Sequence, residues 1–203
     1  MEDKRTAIVQ QALNQFMENG LSATSMEDVA RAMNLGKATI YHYFDSKDTL
    51  FWAAVDLEVS QMEEAFLQEL KKERSGRDKL FRYLDLLFTR IEERYDVAEK
   101  RLNFWRELGP KYFDVIQRFS RKEAEILSGI FISGMATGEF RQTDPLKLAT
   151  MVTSHLWGLH FSVLHGNCFD GFTHPETPAL REKARFFINT IIYGINQSRS
   201  ITE

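Results

Sequence analysis

The sequence predicts an all-α protein: an N-terminal three-helix helix-turn-helix domain followed by a larger C-terminal helical domain, about nine helices in total. Three observations carry this reading. Apolar residues recur at spacings of three and four rather than two. Four prolines in 203 residues are too few for a loop-rich or all-β chain. Gly, Asn and Pro stops divide the chain into segments of helical length.

The first helix spans about Asp3 to Asn19, with Ile8, Ala12, Leu13 and Phe16 on one face and Gly20 as its stop. The second starts at Thr24. Glu27 stands three residues on, where it completes a capping box, and Met26, Val29, Ala30 and Met33 form the apolar stripe. Asn34-Leu35-Gly36 follows, with Asn34 suited to a left-handed turn. A short helix covers about Lys37 to Phe44, and Asp45 is the expected cap of a long helix from Lys47 to Leu70. Further helices are predicted over 77–95, 98–108, 111–137, 144–165 and 178–198. Breaks fall at Asp96, at Gly109-Pro110, at Gly138–Asp144 and in the loop Gly166–Thr177.

Composition narrows the function classes. The chain is 43% hydrophobic and 27% charged, which is ordinary globular usage. A net charge of −3 excludes a histone-like polycation, but nucleic-acid binding depends on where the charge lies. Cys168 is the only cysteine and has no internal disulfide partner. With no signal-like start, a reducing cytoplasm is expected. The apolar stretch Leu148–Leu164 is interrupted by Thr150, Thr153, Ser154, His155, His160 and Ser162, so no membrane partner is expected.

Residues 24–47 carry the chemistry. A helix, a short turn and a second short helix form helix-turn-helix geometry, in which the second helix enters the major groove of DNA. Ile40 and Phe44 are four apart and share an inward face, expected to pack on Val29, Ala30 and Phe16. Lys37, Ala38, Tyr41 and His42 are left pointing outward, where phenol, imidazole and ammonium groups suit phosphates and base edges. Arg31, Lys37 and Lys47 against Asp45 give this stretch +2 within a protein of net −3. Spacing alone also allows a packed three-helix unit with incidental surface aromatics.

The stretches Gly20-Leu-Ser-Ala-Thr-Ser-Met-Glu-Asp-Val-Ala30 and Asn34-Leu-Gly-Lys-Ala-Thr-Ile-Tyr-His-Tyr-Phe44, with Ser46-Lys47, resemble the DNA-binding domain of the TetR (tetracycline-repressor-like) family of bacterial regulators. The motif covers about residues 5–52; the rest resembles the family in length and helical pattern, including Gly138-Glu-Phe-Arg141. The resemblance implies phosphate contacts from Thr24 and Ser25, groove reading by Lys37, Ala38 and Thr39, and phosphate clamping by Tyr41, His42, Tyr43 and Lys47, with Gly36 also among the DNA-binding positions. Thr24 also reads as an N-cap. Two positions depart from the family pattern: Asn34 stands where Gly is usual, and Gly36 where Ser is usual. Domain boundaries follow: residues 1–50 read DNA, and residues 51–203 bind ligand and dimerise.

One such motif reads few base pairs, so a homodimer on a palindromic double-stranded operator is expected. The apolar last two helices supply the expected interface, at Gly158, Ile188, Ile191, Ile192 and Ile195, with Gly194 permitting close approach. Bulky residues of the central helices are mostly core. Phe104, Trp105, Met151, His155 and Trp157 are the candidate lining of an apolar or aromatic effector pocket, with His155 and His160 as polar anchors or ordinary core histidines.

No cofactor or metal is expected. His155, His160 and His165 recur at five, about 140° apart around a helix, and do not converge. A loop site from His165, Cys168 and His174 is a remote alternative. Phosphate-loop, Gly-x-Ser-x-Gly and HExxH patterns are absent, so no enzymatic activity is expected. The expected function is a DNA-binding regulator, a repressor released by a small molecule. A ligand-blind activator or architectural factor is the first alternative; a helical binding or enzymatic protein with a vestigial motif is the second.

Overall fold

A computed structural model of the protein describes residues 3–96, 108–164 and 177–196. Among these residues it is built of eight helices: α1 Lys4–Asn19, α2 Met26–Ala32, α3 Lys37–Tyr43, α4 Lys47–Leu70, α5 Gly76–Asp96, α6 Lys111–Ala136, α7 Pro145–Leu164 and α8 Thr177–Ile195. The helix expected over 98–108 falls almost wholly outside the described residues.

The described chain divides into two compact units. One comprises 3–62, 93–96 and 108–118; the other comprises 63–92, 119–164 and 177–196. Helices α4, α5 and α6 therefore each supply residues to both.

In the first unit, α2 packs on α3 and α1. Ile8, Ala12, Leu13 and Phe16 of α1 are buried, as are Val29 and Ala30 of α2, Ile40 of α3, and Phe44. Each large apolar side chain so enclosed contributes about 1.5–3 kcal/mol against exposure. The Phe16 ring meets Phe51 of α4 edge-on, with centroids 6.1 Å apart. Gly20 ends α1 at φ 92, and its N–H donates to the Phe16 carbonyl. Asn34 takes φ 53, as the turn requires of a short polar residue.

Two caps differ from expectation, each by one residue. Thr24-Ser25-Met26-Glu27-Asp28 contains two overlapping capping boxes, and the structure uses Ser25 with Asp28 rather than Thr24 with Glu27. Thr24 is unavailable because its hydroxyl donates to the Gly20 carbonyl at 2.9 Å and faces Gln15 O at 3.2 Å. Likewise α4 is capped by Ser46, not Asp45. The Thr49 N–H donates to Ser46 Oγ, and the Ser46 N–H donates to Thr49 Oγ1, both at 3.1 Å.

The second unit is centred on Tyr83, Leu84, Leu127, Phe131, Ala149 and Val152, all buried. Gly138-Glu-Phe-Arg141 is a structural clasp here. Gly138 turns the chain at φ 75. The Glu139 carboxylate accepts the Gly76 and Arg77 N–H groups at 2.6 and 2.9 Å, capping α5. The Phe140 ring lies where a Cβ on Gly134 would stand 2.2 Å from it. Arg141 donates its N–H to the Ile195 carbonyl at 2.6 Å. Arg181 of α8 pairs with Asp85 and Glu92 of α5, each at 3.0 Å.

Candidate nucleic-acid interface

Helix α3 has two chemically distinct faces. Ile40 and the following Phe44 are buried, while Lys37, Ala38, Tyr41 and His42 are exposed and Thr39 and Tyr43 are half-exposed. Gly36 caps α3 with ordinary extended geometry, φ −71 and ψ 147, and provides no side-chain bond. A Cβ on Gly36 would meet nothing within 4 Å. The polar face is therefore open along the whole short helix.

Its charges are already partly engaged. The Lys37 ammonium pairs with the Glu27 carboxylate of α2 and lies 5.5 Å from the Tyr41 ring centroid. The bond with Glu27 holds Lys37 above the usual lysine range, and its reciprocal holds Glu27 below the usual carboxylate range. Asp28 is held low chiefly by the Ser25 hydroxyl, which donates to it at 2.6 Å. Arg31 adds an ion pair to Asp28 at 3.0 Å. His42 and Tyr43 meet edge-on, with centroids 5.2 Å apart.

Three expected phosphate ligands have other partners. Thr24 is 2% exposed and its hydroxyl points inward, so the phosphate contact implied for that hydroxyl gives way to a structural bond. The Ser25 hydroxyl proton is committed to Asp28. Lys47 donates to the Leu21 and Thr24 carbonyls at 3.0 and 3.2 Å, tying the start of α4 to the loop before α2. An ammonium has three donors, so one remains for a phosphate.

Of the residues expected to line an effector pocket, the described ones, Met151, His155 and Trp157, do not share one side of α7. Phe104 and Trp105 lie outside the described residues, as do His165, Cys168, His174 and the side chain of His160. Met151 is 56% exposed, and His155, one turn on, is exposed and stacks on Phe187 at 3.9 Å. Trp157 points elsewhere on α7 and donates from Nε1 to Glu123 of α6 at 2.8 Å. Glu123 is 2% exposed, and spacing alone did not single it out among many surface glutamates. A cleft of about 510 Å³ lies instead in the first unit, lined in part by Arg5, Val9, Trp52, Asp56 and Arg118.

Of the residues expected at a dimer seam, Ile188 and Ile192 are buried within the chain itself. That corrects their assignment, since a side chain enclosed by its own protomer has no surface to offer. Ile191 and Ile195 are partly exposed, and Gly158 and Gly194 are exposed. The sequence reading missed the outward apolar residues Phe186 and Tyr193, which follow the helical period of α8 on its other side.

No helix among the described residues is long and apolar enough to cross a membrane, and none of their His, Cys, Asp and Glu residues cluster as a metal site.

The buried core of α1–α3 and the open polar face of α3 together have helix-turn-helix geometry. Residues 8–54 match the sequence model of the bacterial regulatory proteins of the tetR family. It is 30% identical over 95 residues to the biofilm operon icaADBC HTH-type negative transcriptional regulator IcaR of Staphylococcus aureus. That match takes in 47% of this chain and spans 50% of the relative's length. It is 24% identical to the HTH-type transcriptional regulator QacR of Staphylococcus aureus, over 71% of this chain and 77% of that one. The fold is shared with a transcriptional regulator from Cytophaga hutchinsonii: TM-score 0.73, 24% identity, 95% of this chain and 98% of that one.

Proposed function

We propose that the protein is a homodimeric transcriptional repressor that grips a palindromic operator with α3 and releases it when a small apolar or aromatic effector binds. Residues 1–50 form the reading head, and residues 51–203 sense ligand and dimerise. The observation that carries this reading is the division of α3: Ile40 is sealed in the core while Lys37, Ala38, Tyr41 and His42 stand together at the surface. A recognition helix needs that pattern, because base edges and phosphates are reached only by side chains the core does not claim.

Two copies of α3 must enter successive major grooves, roughly 34–36 Å apart. Exposed Met151 on α7 and Phe186 and Tyr193 on α8 supply apolar surface for the second copy. An effector that favours a mis-spaced pair of recognition helices weakens DNA binding, and DNA weakens effector binding by the same factor. Helix α4 is the element through which we connect the two events, because it supplies residues to both units.

Selection of binding sites from random duplex DNA tests the reading. The expected product is an inverted repeat with half-sites one helical turn apart or a multiple of it. Absence of any enriched motif refutes sequence-specific regulation. An enriched operator that no effector loosens would favour the ligand-blind factor.

A further inference from the structure

The cleft of about 510 Å³ in the first unit plays no part in the proposed grip on DNA. Its volume lies within the usual range of small-molecule sites, roughly 300–1,000 Å³. Three helices line it: α1 through Arg5, Thr6 and Val9, α4 through a stripe from Thr49 to Ser60, and α6 through Arg118.

Three charged side chains face the cleft, and two of them neutralise each other. Arg118 pairs with Asp56, and its guanidinium lies 4.7 Å from the Trp52 ring centroid. Arg5 is the third. Its guanidinium lies over the Phe44 ring at 4.9 Å and has no carboxylate partner among the described residues. Two guanidiniums against one carboxylate leave the lining one net positive charge, and it falls on Arg5. The hydroxyls divide in the same way. Thr49 donates to the Ser46 carbonyl at 2.8 Å and Ser60 to the Asp56 carbonyl at 2.9 Å, so both protons are taken. The Thr6 hydroxyl has no hydrogen-bond partner among the described residues. The uncommitted polar groups, Arg5 and Thr6, can therefore both donate. Val9, Trp52, Ala53 and Leu57 make the rest of the lining apolar.

Spare donors, one unbalanced cation and an apolar lining with an indole ring call for an anionic head on a flat apolar body. We propose that this cleft binds an aromatic monocarboxylate, with its carboxylate on Arg5 and Thr6 and its ring against Trp52. A carboxylate matches the planar fork of a guanidinium and accepts two parallel N–H bonds from it. Aromatic pairs add to the area they bury. A nucleic-acid phosphate would satisfy Arg5 but would leave the Trp52 and Leu57 surfaces unused. The site needs Arg5 and Thr6 of the reading head, so it goes beyond the effector sensing assigned to residues 51–203, and its binding does not depend on the repressor reading.

Isothermal titration of the full-length protein without DNA tests the site, with 2-naphthoate, its neutral amide 2-naphthamide and acetate as probes. 2-Naphthoate is expected to bind about tenfold or more tightly than the amide, and acetate not measurably. Arg5 is exposed, so Arg5→Gln should fold normally. It should lower 2-naphthoate to the affinity of the amide and leave the amide unchanged. Trp52→Leu should weaken both naphthyl probes, with a thermal melt to confirm its fold. No binding of 2-naphthoate, equal binding of the amide, or an Arg5→Gln protein with wild-type affinity overturns the proposal. Binding to random duplex DNA separates the other use of Arg5. Arg5→Gln should keep the wild-type salt slope, and a slope lower by about one would assign Arg5 to a DNA phosphate and overturn the proposal.

Discussion

Lys37 on the recognition helix is ion-paired with Glu27 on the helix beneath it. The side chain proposed to meet a base edge is thus engaged by a carboxylate of its own domain. Glu27→Gln removes that competitor. The variant should bind all duplex DNA more tightly, discriminate less between operator and random sequence, and show a salt slope steeper by about one. Fluorescence anisotropy at several salt concentrations measures both quantities, and an unaltered slope would show that Lys37 is already free to reach DNA.

The cap of α2 depends on ionised Asp28. Its carboxyl is held low, first by the Ser25 hydroxyl, so the folded state favours the ionised form. The stabilisation is full above the unfolded value, near pH 4, and is lost as pH falls through the lower folded value. The stability difference between wild type and Asp28→Asn should therefore be level from pH 5 to 8 and shrink below pH 4. Urea melts across that range check it; a gap that widens on acidification contradicts the assignment.

The turn before α3 separates two substitutions. Asn34 has φ 53, so Asn34→Gly should be neutral or slightly stabilising, while Asn34→Val should cost about 1–2 kcal/mol. Gly36 has φ −71 and open space at its Cβ, so Gly36→Ser should fold normally and gain a few tenths of a kcal/mol from the added cap. Thermal melts of the three variants give the order. A destabilised Gly36→Ser would mean that this turn is tighter than its geometry indicates.

In the second unit, Glu139→Ala removes both acceptors at the start of α5 and should cost about 1–2 kcal/mol. Gly134→Ala drives a methyl into the Phe140 ring and should cost about 1–3 kcal/mol. Combining Gly134→Ala with Phe140→Leu should recover part of the loss, because the two sites touch. Strict additivity in a double-mutant cycle would remove the clasp from the account.

Phe186 is 75% exposed on α8. Phe186→Glu places a charge in the proposed seam without disturbing the protomer core, so sedimentation should show folded monomers. Ile188→Glu should instead unfold the protomer, since Ile188 is sealed within it. A stable Phe186→Glu dimer would put the interface elsewhere.

The three-helix head was legible because its signals are local. Gly20, the Ile40 and Phe44 spacing and the Asn34 turn each follow from a few adjacent residues. The cap choices were not legible: Thr24 and Ser25 both satisfy the capping pattern, and only the Gln15 and Gly20 carbonyls, brought near by packing, decide between them. The Lys37–Glu27 pair, ten positions apart in sequence, likewise depends on how α3 lies on α2. Periodicity recovered the described long helices of the second unit, but it does not say which side of α8 faces its own core. Ile188 and Phe186 are equally apolar, and tertiary packing alone buries one and exposes the other. Glu123 was invisible for the opposite reason: a glutamate within a long charged helix reads as solvated until its neighbours are known.

The most direct measurement of the central claim is the ratio of affinities for the selected operator and for random duplex, in wild type and in Lys37→Ala. The account predicts a wild-type ratio of about 10³ or more at physiological salt. Lys37→Ala should lower that ratio roughly tenfold to a hundredfold, with the change confined to one base position per half-site. A wild-type ratio near one, or an identical ratio and binding motif in the variant, would contradict the assignment of α3 as the element that reads DNA.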